Sequence, residues 1–170
     1  MSVIQAKNEA KKIWETHIGE YGKTDPESLA KKLGLKVVYE KLDDEVSGVL
    51  VLQESRPVIF VNAEQHSNRQ RFTISHELGH YLLHKQEQVH VDNDFTVVYR
   101  NTKSSTGEDL HEIEANQFAA ELLMPEKCVG QYIVDNKVRV ITETTIANMA
   151  DFFGVSLQAM TIRLSAIGLI

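Results

Sequence analysis

The chain has one cysteine, three prolines and no net positive charge, and each scarcity removes a class of protein. The lone Cys128 excludes an internal disulfide and suits a reducing cytosol. No stretch approaches the ~20 consecutive apolar residues that a membrane helix needs. The N-terminal MSVIQAKNEAKKIW lacks the apolar core of a signal peptide, so a cytoplasmic location without a membrane partner is expected. A formal net charge of −6 argues against broad nonspecific binding to nucleic acid or anionic membrane. It leaves room for a local basic patch. Repeats, low-complexity tracts and Pro/Gly/Ser linkers are all missing. The 170 residues therefore predict a single domain, 1–170. A chain of this size buries about 70% of its extended surface, enough for a real core.

What is present reads as an α+β domain. Val3, Ala6, Ala10, Ile13, Trp14 and Ile18 recur at helical spacing across residues 2–20. Asp25 and Pro26 start a second helix as its cap and first residue, and Gly34 ends it. Then the period changes. Residues 35–40, 48–53 and 57–62 are short, rich in β-branched side chains and bounded by turns. They predict a small, mostly antiparallel sheet. If the middle strand lies at an edge, the backbone beginning at Ser47-Gly48 could pair with an extended peptide. Residues 95–100 form a possible further strand and 101–107 a polar loop, with Tyr99 and Arg100 as candidates for substrate contact.

The chemistry is concentrated in residues 69–85, RQRFTISHELGHYLLHK. Leu78, Tyr81, Leu82 and Leu83 suit a packed helix, with Asn68 or Ser67 as its cap. His76 and His80 are four apart and project from one face, a spacing that lets two imidazoles share one Zn²⁺. Glu77 lies about 100° round the helix from His76. That position suits a general base beside the ion rather than a ligand. The bland alternative is a helix with two solvated histidines and a surface glutamate. The flanking apolar residues argue against it. Gly79 also costs roughly 1 kcal/mol against alanine in a helix interior. Close approach of another backbone beside the metal would explain it.

Two histidines need a third protein ligand. The extended motif with a third histidine would have glycine at 83 and histidine at 86, where Leu83 and Gln86 stand. The stretch 109–125, DLHEIEANQFAAELLMP, reads as a second ligand helix. Glu112 and Asn116 share a face on it. Glu112 is the expected ligand, with Asn116 orienting a ligating histidine. Glu114, about 160° away from Glu112, is the alternative, and Glu121 stands behind it. For these last two a solvated helix carboxylate is the simpler reading. His84 stays on the metal-facing side but about 12 Å along the backbone from His76, too far to share its ion. His90 and His111 could hydrogen-bond an oxyanion, though nothing in their spacing favours them.

SHELGHYLLH followed by EIEANQFAAELLMP resembles the ImmA/IrrE family of metallopeptidases, from about residue 25 to the C-terminus. The resemblance implies a zinc-dependent, gluzincin-like peptidase in the cytoplasm. It also implies a protein substrate, since known members cut helix-turn-helix repressors of mobile elements or stress responses. Carried over by position, the family's metal and catalytic residues fall on His76, Glu77, His80 and Glu112.

Residues 142–170 carry the rival reading. They predict helix, Gly154 turn and helix, with Ser156 as cap, a spacing close to that of a DNA-binding helix-turn-helix. Residues 156–170 hold one basic side chain, Arg163, where a DNA-reading helix should offer several. Leu157, Met160, Leu164 and Ile167 look like a stripe packed on the domain. Direct DNA binding is therefore not expected. A zinc-containing regulator that binds a protein or DNA without cutting anything stands as the alternative function.

Overall fold

The computed structural model describes residues 2–52, 56–84, 89–93 and 107–170, with the backbone alone for 89–93 and 107–109. Its elements run α1 (Val3–His17), α2 (Pro26–Lys32), β1 (Lys36–Glu40), β2 (Val46–Val51), β3 (Val58–Asn62), α3 (Ser67–Leu83), β4 (Val89–Asn93), α4 (Gly107–Leu123), α5 (Glu126–Asp135), α6 (Glu143–Phe153) and α7 (Leu157–Ala166). The expected α+β class is the observed one. Predicted residues 95–100 and 101–106, with Tyr99 and Arg100, lie outside the described residues. Gly107, expected in the loop, begins α4.

The caps follow local chemistry. Ser2 and Gln5 close α1 with a reciprocal capping box. Asp25 accepts from the backbone of Glu27 and Ser28 ahead of Pro26. Thr142 and Ser156 cap α6 and α7, and Gly154 between them takes the left-handed φ of 65°. The cap of α3 is neither Asn68 nor Ser67 but His66, whose Nδ1 accepts from Asn68 N at 3.2 Å. The Asn68 side chain instead reaches across to Val155 O at 3.0 Å.

The sheet order is β1-β3-β2-β4. β3 pairs parallel with β1 and antiparallel with β2, and β2 pairs antiparallel with β4, so the sheet is mostly antiparallel. This corrects the edge-strand expectation for β2. A fourth strand occupies its far side, and β2 lies inside the sheet. The β2–β4 register slips between Val46 and Gly48, at Ser47. The Ser47 hydroxyl is buried there, accepting from Arg69 Nε (3.1 Å), Arg69 Nη2 (2.7 Å) and Gln65 Nε2 (3.1 Å). The irregularity is thus tied to the first turns of α3. Such bulges re-aim the strand locally.

Helix α3 crosses the sheet and packs along α4. Ile74 and Leu78 of α3 meet Phe118, Leu122 and Leu123 of α4, Leu50, Ile59 and Val61 of the sheet, and Met149, Phe153, Met160 and Leu164 of the last two helices in one core. Of the stripe expected on α7, Met160 and Leu164 are buried, whereas Leu157 in the first turn is exposed. Arg163 completes the buried face. It ion-pairs with Glu121 and donates from Nε to Met124 O at 2.9 Å. Glu121, expected as a solvated carboxylate, is buried because this guanidinium, 42 residues away in sequence, compensates it.

Gly48 sets how closely α3 lies on the sheet. A Cβ there would come 2.4 Å from Thr73 Cγ2 and 3.1 Å from Phe60 O. Gly48→Ala should lower stability by about 1–3 kcal/mol, the usual cost of overpacking. Urea unfolding measures this, and an unaltered midpoint would contradict the tight contact.

Candidate metal and catalytic site

Two consecutive turns of α3 bring His76 and His80 together, and α4 lays Glu112 across them. His76 Nε2 and His80 Nε2 are 2.9 Å apart. Glu112 Oε2 lies 3.3 Å from the first nitrogen and Oε1 3.2 Å from the second. One donor atom from each of the three residues falls within 4.8 Å of the others, the only such group among the described residues. Both histidines are buried, while the Glu112 side chain is 39% exposed, so the carboxylate forms the solvent side of the group.

The chemistry of this donor set fits a zinc ion. Asn116 Oδ1 is 3.1 Å from His76 Nδ1. An amide oxygen accepts only, so it selects the Nδ1–H tautomer and leaves the Nε2 lone pair pointing at His80 and Glu112. Two buried ring nitrogens and a carboxylate crowded together repel unless a cation or a proton lies among them. Donors about 2.0–2.1 Å from a tetrahedral ion stand roughly 3.3 Å apart. The three observed separations are close to that. His, His and Glu is also a donor combination that catalytic zinc accepts.

Glu77 is fully buried and faces a different neighbour. Its Oε1 would lie 3.6 Å from a Cβ at Gly48, so the carboxylate abuts β2 where the strand is irregular. That contact would tolerate a Cβ, and it is Thr73 Cγ2, 2.4 Å from such a Cβ, that demands the glycine. The sequence marked Ser47-Gly48 as the start of a strand that could pair with a peptide if it lay at an edge. Nothing in the spacing of the motif revealed its place under Glu77.

Gly79 has the close backbone neighbour that its place in a helix suggested. A Cβ on it would meet Ala115 Cα at 3.0 Å, Ala115 O at 3.2 Å and Ala115 Cβ at 3.3 Å. Ala115 lies between Glu112 and Asn116. The contact therefore sets the distance between the helix carrying the imidazoles and the helix carrying their partners.

Beyond His80 a second polar cluster follows, and His84, expected beside the metal ligands or on the surface, belongs to it. His84 is buried, its side chain 5% exposed, with its ring 5.6 Å from that of His80. His111 stacks on it at 4.0 Å with the planes 17° apart. Glu114 Oε2 is 3.4 Å from His84 Nε2. Glu114 is thus not a solvated carboxylate, and it joins His84 rather than the His76–His80 pair. Burial, helped by the charge of His111, pushes the His84 pKa down from 6.5 and favours the neutral ring. His90 lies on β4, and its side chain lies outside the described residues.

The sequence pattern of the Peptidase_M78 family, described as the IrrE N-terminal-like domain, matches residues 30–165. The chain belongs to this family. The chain is 30% identical to a protein named uncharacterized immunity region protein 2, of Bacillus phage phi105, over 68% of each chain. It is 29% identical to Metallopeptidase ImmA of Bacillus subtilis strain 168, covering 62% of this chain and 64% of that one. A solved structure titled Mycobacterium tuberculosis transcriptional regulator shares the fold. Its TM-score is 0.66 at 18% identity, over 96% of this chain and 47% of the other. The Peptidase_M78 match spans the whole donor group, α3 and α4 included.

Gly79→Ala should push α4 away and lower zinc affinity at least tenfold, roughly the loss seen when a supporting contact of a metal site is removed. Competition with a chromophoric chelator reads it. Gly130→Ala on α5, where a Cβ meets nothing within 4 Å, is the control and should bind as wild type does. Equal affinity of both variants would show that the α3–α4 contact does not govern the donors.

Proposed function

We propose that this chain is a zinc-dependent endopeptidase that cuts one peptide bond in a regulatory protein, a helix-turn-helix repressor. The observation that carries the reading is the triangle of His76, His80 and Glu112 donors, with one imidazole held in its ligating tautomer by Asn116. Membership in Peptidase_M78 and the name of the Bacillus subtilis relative support the metallopeptidase activity. The phage relative's name, an immunity region protein, agrees with the mobile-element repressors that the family resemblance implies as substrates.

In this reading His76, His80 and Glu112 hold the ion. Zinc supplies Lewis acidity, lowering the pKa of water it binds to about 7 and polarising a carbonyl. Glu77 is the general base. Its carboxylate takes the proton of the attacking water as the new C–O bond forms. It returns that proton to the amine nitrogen as the C–N bond breaks. The buried position of Glu77 against Gly48 holds the carboxylate in one place for both transfers. Asn116 keeps the His76 ring from turning.

Against the DNA-binding form of the non-cutting regulator stands the burial of Arg163. The single cation of the last helix is engaged by Glu121 and Met124 O and is withdrawn from any phosphate. No helix among the described residues is long and apolar enough to cross a membrane. With one cysteine in the chain, this agrees with a cytoplasmic substrate.

Glu77→Gln should retain zinc and fold but leave a candidate helix-turn-helix repressor intact, while wild type produces a fragment that a chelator abolishes. Gel analysis with and without chelator tests it, and cleavage at the wild-type rate by the variant would remove Glu77 from the role of base. His76→Ala or His80→Ala should leave the purified protein without stoichiometric zinc by elemental analysis.

A further inference from the structure

The three donors sit on two helices, and something must fix the angle between them. Helices α3 and α4 run antiparallel: His76 faces Asn116 and His80 faces Glu112, while Gly79 touches Ala115. Their far ends, the start of α3 and the end of α4, are both fastened to the α6–α7 pair. From α3, Asn68 Nδ2 donates to Val155 O at 3.0 Å. Arg71 Nε donates to Gly154 O at 3.0 Å, and its Nη2 to Phe153 O at 3.2 Å. These carbonyls end α6 and form the turn into α7, where a guanidinium matches the exposed helix C-terminus. From α7, Arg163 pairs with Glu121 and donates to Met124 O at the end of α4. Burial and these bonds hold both arginines in place.

We propose that the α6–α7 pair is a brace that fixes the crossing of α3 and α4, with Asn68, Arg71 and Arg163 as positioning residues for the His76–His80–Glu112 group. The proposal rests on the zinc reading above but has a metal-free test of its own. The Gly79–Ala115 contact is the pivot. At about 1.5 Å of rise per residue, Glu112 is ~4.5 Å from Ala115 along α4, and Glu121 to Met124 are ~9–13 Å away on the other side. A 1 Å slip at the brace moves Glu112 by roughly 0.4 Å, twice the ~0.2 Å tolerance of metal–ligand distances. The lever shortens the motion without removing it. The helix-turn-helix-like geometry of residues 142–170 thereby has a use that needs no nucleic acid.

The test uses the full chain with Asn68→Ala and Arg71→Met combined, which removes the three bonds to the turn and keeps the apolar stem of Arg71. Zinc affinity by chelator competition should fall about tenfold. Circular dichroism should show a folded protein, and hydrogen exchange of the metal-free chain should quicken at the amides around Glu112 and Ala115. Arg71→Lys, which keeps the charge and loses the forked donation, should fall between wild type and the double variant. A folded double variant with wild-type affinity and wild-type exchange at those amides overturns the brace. If the double variant does not fold, Arg71→Lys decides by the same two readings, and no change in either rejects the proposal. If wild type itself takes up no zinc, the metal-centre reading falls, and the exchange at Glu112 and Ala115 still decides whether the brace exists.

Discussion

The architecture depends on one close approach, that of Gly79 on α3 to the backbone of Ala115 on α4. On the α3 side no side chain stands between the two helices at that point. Three residues to one side along α4 lies Glu112, and one to the other side lies Asn116. The separation set at the glycine thus becomes the separation of imidazoles from carboxylate. The core supports the contact from below, with Leu78 and Ile74 against Phe118 and Leu122. A glycine that lowers helix propensity by roughly 1 kcal/mol is tolerated because it brings three polar groups into reach of one another.

The sheet plays a different part. β2 is held on both sides, by β3 and β4, and its irregularity at Ser47 is tied to Arg69 and Gln65 at the start of α3. This places Gly48 against Thr73 and Glu77. The buried carboxylate therefore rests against a strand in the interior of the sheet.

What could be read from the sequence is what depends on local period. His76 and His80 on one helix face, Glu112 and Asn116 on another, the caps at Asp25 and Ser156, and the turn at Gly154 all follow from spacing and residue type. The fates of Glu114 and Glu121 could not be read that way. Each looks like a surface carboxylate on its own helix. Each is buried because a partner arrives from elsewhere, His84 from α3 and Arg163 from α7. The place of β2 inside the sheet was hidden for the same reason, since strand order is a property of pairing and not of any one segment. His66 escaped as a cap because an imidazole nitrogen accepts there in place of the usual short oxygen side chain.

The uneven exposure of the three donors has a direction. Both imidazoles are sealed within the protein, and only the carboxylate meets solvent. Among the described residues, a cation held by these three groups would meet the medium on the Glu112 side.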